Sequence, residues 1–283
     1  MAKKTGLVLE GGAMRGMFTS GILDVFMENG ITVDAAIGVS AGATFGCNFK
    51  SKQIGRAIRY NKKYAHDRRY CSFYSLFTSG DLYNADFCYN VLPNQLDLFD
   101  YDTYISNPMD FYVVVTNAET GEPLYTKLKD CSEKDMRWMR ASASMPLVSK
   151  PVEIDGMKLL DGGIADSVPL EYFESIGFEK NIVILTQPRD FIKQPPKFFP
   201  LMKIMLSKYP KIVEAVATRH LRYNKQREFI LSREKEGKAF VICPEKALGI
   251  SRTEKNVAEL ERVYQEGRRE AIKRLEEIKA FLS

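Results

Sequence analysis

Ala35-Ala36-Ile37-Gly38-Val39-Ser40-Ala41-Gly42-Ala43 is the stretch on which the reading of the fold depends. Its first five residues form an apolar, strand-like run, which passes through Ser40 straight into small residues from which a helix can grow. A serine between strand and helix, in the pattern Gly38-x-Ser40-x-Gly42, has the setting of a nucleophile elbow. Such a turn is so tight that only small residues fit beside the serine, whose hydroxyl is pushed outward. The first amides of the following helix favour negative charge at that hydroxyl. The same five residues can also be an ordinary tight turn, because the bare pattern is common.

Upstream, Gly6-Leu7-Val8-Leu9 is a second apolar run, interrupted by Gly11-Gly12-Ala13 and followed by Met17, Ile22, Val25 and Phe26 at helical spacing up to Asn29-Gly30. Strand, turn, helix, strand, turn, helix is the order of a right-handed βαβ unit with two parallel strands. In such a unit the two C-terminal turns lie side by side, at the edge where α/β proteins build their sites. The first of them, Gly11-Gly12-Ala13-Met14-Arg15-Gly16, can offer amides to a ligand oxygen. A pair of such donors forms an oxyanion hole worth roughly 3 to 4 kcal/mol of barrier. A phosphate loop would need Gly-Lys-Ser/Thr at its end, and a dinucleotide fingerprint would need glycine where Ala13 stands. A purely structural glycine turn stays open at this point.

Downstream, Phe111 to Val115 and Glu122 to Thr126 read as strands joined through Glu119-Thr120-Gly121. Lys134 to Arg140 reads as a helix stopped by Ala141-Ser142-Ala143-Ser144-Met145-Pro146. Lys158-Leu159-Leu160 precedes the turn residues Asp161-Gly162-Gly163. Pro169 starts a helix to about Ile176, and Asn181 to Thr186 is a buried strand. Alternation of strands and helices predicts an α/β fold. The segment from Gln187 to Pro210 reads as a connection. It leads into a long polar helix to about Glu236, a candidate strand at Ala239 to Cys243, and a charged amphipathic helix from Glu254 to Leu282. These changes suggest a domain over 1–188 and a mostly helical extension over 189–283, although the strand around Val241 could equally join the main sheet.

With 283 residues the chain can bury a substantial core, and 45% hydrophobic against 27% charged residues excludes a wholly disordered chain. A net charge of +5 from 41 basic and 36 acidic residues is too balanced to argue for nucleic acid. It leaves a modest attraction to anionic surfaces. Cys47, Cys71, Cys88, Cys131 and Cys243 show no Cys-x-x-Cys spacing and read as free thiols of a reducing compartment. No stretch reaches the roughly 20 apolar residues of a membrane span, and Met1 to Lys4 leads into a strand without a signal-peptide core. A cytoplasmic address is expected, with peripheral contact at the inner membrane surface as an extension. That contact would run through Phe191 to Lys211, where Phe198-Phe199, Leu201-Met202 and Ile204-Met205-Leu206 mix with Lys193, Lys197, Lys203 and Lys208. A buried helix with a basic edge is the alternative. Oligomeric state is open.

A serine nucleophile needs a proton acceptor, and the chain holds only two histidines. His66 lies in the basic, aromatic Tyr64-Ala65-His66-Asp67-Arg68-Arg69-Tyr70, read as a solvated or interfacial surface. His220 lies on the long polar helix, read as a surface position. Asp161 taken alone would be a turn aspartate, and Asp166 belongs to the start of a helix at Ser167-Val168-Pro169.

Four motifs, Gly-Gly-Ala-Met-Arg-Gly at 11–16, Gly-Val-Ser-Ala-Gly at 38–42, Ala-Ser-Ala-Ser-Met-Pro at 141–146 and Asp-Gly-Gly at 161–163, occur in one order. In order and approximate spacing the chain resembles the patatin-like phospholipases over roughly residues 6–187. Arg15-Gly16 matches the family's glycine loop, and Ala13 departs mildly from it. The resemblance implies a three-layer α/β/α fold with a mostly parallel sheet and a helical C-terminal extension. It also implies a Ser-Asp dyad of Ser40 and Asp161, with the amides of Gly11, Gly12 and Ala13 as oxyanion hole. Arg15, Gly16, Gly38, Gly42, Gly162 and Gly163 would support these motifs. The expected substrate is a lipid ester, hydrolysed without metal or organic cofactor. An ordinary aspartate, with a pKa about 3.9, is a weak base for a hydroxyl, so burial would have to raise it. A His220-assisted esterase and a catalytically silent lipid-binding protein of the same fold are the competing expectations.

Overall fold

The computed structural model describes residues 4–283; Met1, Ala2 and Lys3, read above as the lead into the first strand, lie outside the described residues. The chain opens with β1 (Thr5–Leu9), α1 (Gly16–Glu28), β2 (Ala35–Val39) and α2 (Ala41–Lys50). Three short helices follow, α3 (Arg56–Tyr64), α4 (Phe73–Ser79) and α5 (Tyr101–Ser106), with a π-helical segment at Phe87–Leu96 before the last. Next come β3 (Asp110–Asn117), β4 (Pro123–Leu128), α6 (Glu133–Ser142), β5 (Val152–Ile154), β6 (Met157–Asp161), α7 (Leu170–Ser175) and β7 (Lys180–Ile184). The final third is α8 (Phe199–Met205), α9 (Pro210–Lys235), β8 (Ala239–Ile242), α10 (Val257–Lys273) and α11 (Leu275–Leu282).

All eight strands form one sheet in the order β5-β6-β3-β2-β1-β7-β8, with β4 on β3 off that path. The stretch from β3 through β2, β1 and β7 to β8 is parallel, whereas β4 and β6 pair antiparallel with β3, and β5 pairs antiparallel with β6. Parallel strands covered on both faces read as continuous apolar runs, which is why β1, β2 and β7 are so apolar. Alternate side chains go to opposite cores. Leu7, Leu9, Ile182 and Ile184 pack with α1, α2 and α10 on one face. Val8, Ile37, Val39 and Val183 pack with α7 and α9 on the other. This is the three-layer α/β/α arrangement that the resemblance implies.

The pairing of β3 decides where the site lies. Along Phe111–Val114, β3 is flanked by β2 on one edge and β4 on the other. From Val115 onward β4 keeps its edge, and β6 takes over the edge that β2 has left. Val114 pairs with Val39 and Val115 with Asp161, so the C-terminal ends of β2 and β6 meet head to head on one edge of β3.

Three local readings are corrected by the structure. The proline-rich connection from Gln187 to Pro210 contains α8, because Pro200 occupies its first turn, where a missing N–H leaves no bond unmade. The helix read from Glu254 to Leu282 is two helices parted at Arg274, whose guanidinium reaches the Val241 carbonyl (2.6 Å). The helix read over Lys134 to Arg140 runs on through Ser142. The last third is also tied to the first: β8 extends the sheet beside β7, and α10 lies on α1, where the Tyr264 hydroxyl donates to buried Asp24 (2.6 Å).

Candidate active site

Ser40 stands between β2 and α2 with φ 54° and ψ −120°, a backbone conformation that L-residues rarely adopt and that costs about 1–3 kcal/mol. Its surroundings hold it there. The Ser40 N–H donates to the Ser142 hydroxyl (2.9 Å), and its carbonyl accepts from the Ala43 and Thr44 amides that open α2 (2.9 and 3.0 Å). Gly42 must lack a side chain because a Cβ there would run into the Leu9 carbonyl at the end of β1. Ser40 is 9% exposed, so its hydroxyl has access to a cavity rather than to open solvent.

The glycine loop touches this elbow directly. A Cβ at Gly11 would sit 2.8 Å from the Val39 carbonyl oxygen and 2.9 Å from the Ser40 Cβ, closer than such atoms can approach. Any side chain at 11 would therefore displace the loop from the serine. The N–H groups of Gly11, Gly12 and Ala13 donate to no other described residue, and Ala13 has φ 50°. Free amides at a loop whose shape is imposed by close packing are suited to receive a ligand oxygen.

Asp161 closes β6 and arrives beside Ser40 through the shared edge of β3. Its own N–H donates to the Ser144 carbonyl, and the Thr116 hydroxyl donates to its carbonyl, both at 2.8 Å. The Gly163 N–H holds the carboxylate Oδ1 at 2.8 Å. The side chain is 5% exposed. Burial raises its pKa above the usual carboxylate value, partly offset by the Ser40 hydroxyl, then by the Arg219 charge, the Gly163 amide and Arg252. A raised pKa is what general-base work requires of a carboxylate, and the Ser40 hydroxyl and Asp161 border the same cavity.

Ser40, Asp161, Gly11, Gly12, Ala13, Arg15 and Gly163 thus border a single cavity of ≈ 610 Å³. A narrower cleft of ≈ 140 Å³ also opens at Ala13 and Ser40, with Phe45, Tyr60, Leu92 and Met139 in its wall. Gly16, Gly38 and Gly162 pack behind the loops: a Cβ on them would meet the Phe45 ring, the Ala43 backbone and the Val114 carbonyl respectively. Among the described residues no group of three His, Cys, Asp or Glu side chains is gathered closely enough to hold a metal ion.

The histidines separate. His66 is exposed and outside the cavity, while Tyr64 and Tyr70 of its segment are buried rather than at the surface. His220 is not on a solvated face as read: it is half-buried on the cavity wall, because α9 packs across the mouth, and its Nδ1 has no partner. It makes no hydrogen bond to Ser40 or Asp161. Asp166 is engaged elsewhere, accepting from the Tyr125 hydroxyl (2.8 Å) and the Gln226 amide (2.5 Å).

Sequence reasoning missed Ser142 and Ser144 as supports of the elbow and of β6. Their only signal was the small-residue run that carries them. It also missed Glu10, buried at the end of β1 and held by the Thr186 N–H (2.6 Å) and the Tyr223 hydroxyl (2.7 Å). No local pattern could have indicated it.

Comparison with known proteins finds several similar chains. The protein is 28% identical to YjjU of Escherichia coli (strain K12) over 252 residues, which cover 87% of this chain and 70% of that one. It is 27% identical over 62% of its length to the lysophospholipase NTE1 of Pyricularia oryzae, but spans only 12% of that protein. Among solved structures, VipD from Legionella pneumophila aligns over 97% of this chain and 67% of its own, with a TM-score of 0.48 and 13% identity. A domain of unknown function matches residues 209–283. The patatin-like phospholipase family matches residues 7–174, more than half of the chain and all four motifs, and to that family the chain belongs.

Proposed function

We propose that this protein is a serine acyl hydrolase that cleaves a fatty-acyl ester of a lipid through a Ser40-Asp161 dyad. The observation that carries the reading is a buried carboxyl of raised pKa beside a strained elbow serine, with the unpaired amides of residues 11–13 against that serine. Asp161 takes the Ser40 proton as the hydroxyl attacks the ester carbonyl. The oxyanion rests on the glycine-loop amides, and the alcohol leaves with the proton. Water then attacks the acyl-enzyme with Asp161 again as base, and the fatty acid departs. These steps call on no metal and no organic cofactor. Residues 1–188 carry the reacting groups in this reading, and 189–283 form an extension packed onto them.

A lipid ester is supported by the apolar cleft at Ser40 and by the lysophospholipases among the relatives. No helix among the described residues is long and apolar enough to cross a membrane. In α8 and just before it, Phe198 (73% exposed) and Ile204 (71%) stand out beside Lys197 and Lys203, while Phe198 and Met202 border the cavity. This favours a peripheral lipid contact next to the site entrance. The test is an assay on monoacylglycerol, lysophospholipid and diacyl phospholipid, with the released acid identified by mass. Fatty acid is expected from at least one of them, and none from any would remove the proposal. In the vesicle arm the protein should sediment with anionic vesicles; absence from both anionic and neutral pellets contradicts the contact through α8.

A further inference from the structure

Five cations converge on the cavity beside Ser40 from distant parts of the chain: Arg15 from the glycine loop, Lys193 and Lys197 from the connection before α8, Arg219 from α9 and Arg252 from the loop before α10. None is ion-paired among the described residues, whereas Arg189, Arg233 and Arg262 nearby in sequence reach Glu234, Glu174 and Glu259. Arg219 lies closest to the reacting groups. A Cβ on Gly163 would be 3.0 Å from its Nη2 and 3.1 Å from Asp161 Oδ1. Its Nε is buried without a partner, and Nη2 has only a 3.5 Å contact to the Ser167 hydroxyl.

The two carboxylates in the cavity, Glu10 and Asp161, act on Arg219 and offset this charge only in part, since two acids face five cations. Burial, with Arg219 next and Arg15 and Arg252 adding to it, pushes the Lys193 ammonium down to about 8 even though Glu10 opposes the shift. Like charges gathered in a recessed site work against folding unless an occupant supplies the opposite sign, and a recess of one sign concentrates such an occupant. Guanidinium groups match the oxygens of a phosphate through paired N–H bonds.

We infer that the Arg15, Lys193, Arg219 and Arg252 cavity is an anion subsite that receives the phosphate of the substrate's alcohol portion, while the apolar cleft on the other side of Ser40 takes the acyl chain. The inference rests on the reading of Ser40 as the point of attack. It assigns the substrate class as a lysophospholipid-type ester with an anionic phosphate headgroup. Four of the five cations lining the cavity come from residues beyond 188, so the C-terminal extension supplies most of the headgroup site.

Ether-linked ligands separate this inference from catalysis, because they cannot be hydrolysed. Calorimetric titration of the full chain at neutral pH would compare 1-O-octylglycerol, 1-O-octylglycerol 3-phosphate and inorganic phosphate alone. The phosphate ether is expected to bind at least ~10-fold more tightly than the neutral ether, and about 1 M salt should remove most of that advantage. In Lys193→Gln/Arg252→Gln the advantage should fall to about threefold or less. Equal binding of the two ethers by the wild-type protein overturns the inference, as does an advantage that survives in a folded double variant. Should the double variant not fold, the wild-type comparison and its salt dependence decide alone. Inorganic phosphate binding as tightly as the phosphate ether would make this a site for free phosphate and overturn the lipid assignment.

Discussion

Ser40→Ala is expected to lower kcat for a short p-nitrophenyl ester by ~10⁴-fold or more, as loss of a nucleophile does in serine hydrolases. The substitution removes one oxygen and leaves the elbow intact. The Ser40 N–H still reaches Ser142, the carbonyl still opens α2, and φ 54° is as strained for alanine as for serine. Stability should therefore hardly move, with Tm within about 2 °C of wild type. Activity above about one hundredth of wild type in the purified variant would show that the hydroxyl is not the attacking group.

Asp161→Asn should remove activity to a similar degree while making the protein more stable. Asparagine keeps an oxygen for the Gly163 N–H but cannot accept the serine proton. The stability gain follows from the direction of the pKa shift. Burial places the folded-state value above the unfolded 3.8, so the stabilisation is complete below the unfolded pKa and is lost as pH rises through the folded value. At neutral pH the wild type therefore carries the cost of a buried charge that the asparagine variant does not. Thermal unfolding should show a higher Tm for Asp161→Asn at pH near 7, by about 2–4 °C for each kcal/mol released, narrowing toward pH about 4. The same shift moves the acid limb of kcat/KM above the ordinary carboxylate range. His220→Ala is the matched control: activity lost there and retained in Asp161→Asn would transfer the role of base to the histidine.

What could be read in the sequence, and what could not, follows the range of the interactions. β1 and β2 were legible because strands covered on both faces are uninterrupted apolar runs, and each ends in a turn that only small residues can make. The nearness of Gly11 to Ser40 followed from parallel neighbours ending side by side. The arrival of Asp161 was not derivable locally. It depends on β6 taking over the edge of β3 that β2 leaves at Val114, a pairing between residues more than 40 positions apart. Only the order of the four motifs pointed to it. The Ser142 contact to Ser40 spans 102 positions and carries no periodic signal. The cationic cavity is the extreme case: Arg15 is marked only as part of a motif, and nothing local joins it to Lys193, Arg219 and Arg252 until α9 and the loop before α10 fold across the site. A helix within Phe191 to Lys211 reads only as a buried one, whereas α8 has no buried residue, and the break at Arg274 has neither glycine nor proline to mark it.

The pairing of Ser40 with Asp161 is the centre of this account, and covalent trapping tests it most directly. Wild-type protein, Ser40→Ala and Asp161→Asn would be treated with a fluorophosphonate and the adducts mapped by peptide mass. A single adduct on Ser40 is predicted in the wild type, none in Ser40→Ala, and strongly slowed labelling in Asp161→Asn. No adduct on Ser40 in active protein, or equal labelling rates with and without the Asp161 carboxylate, would contradict it.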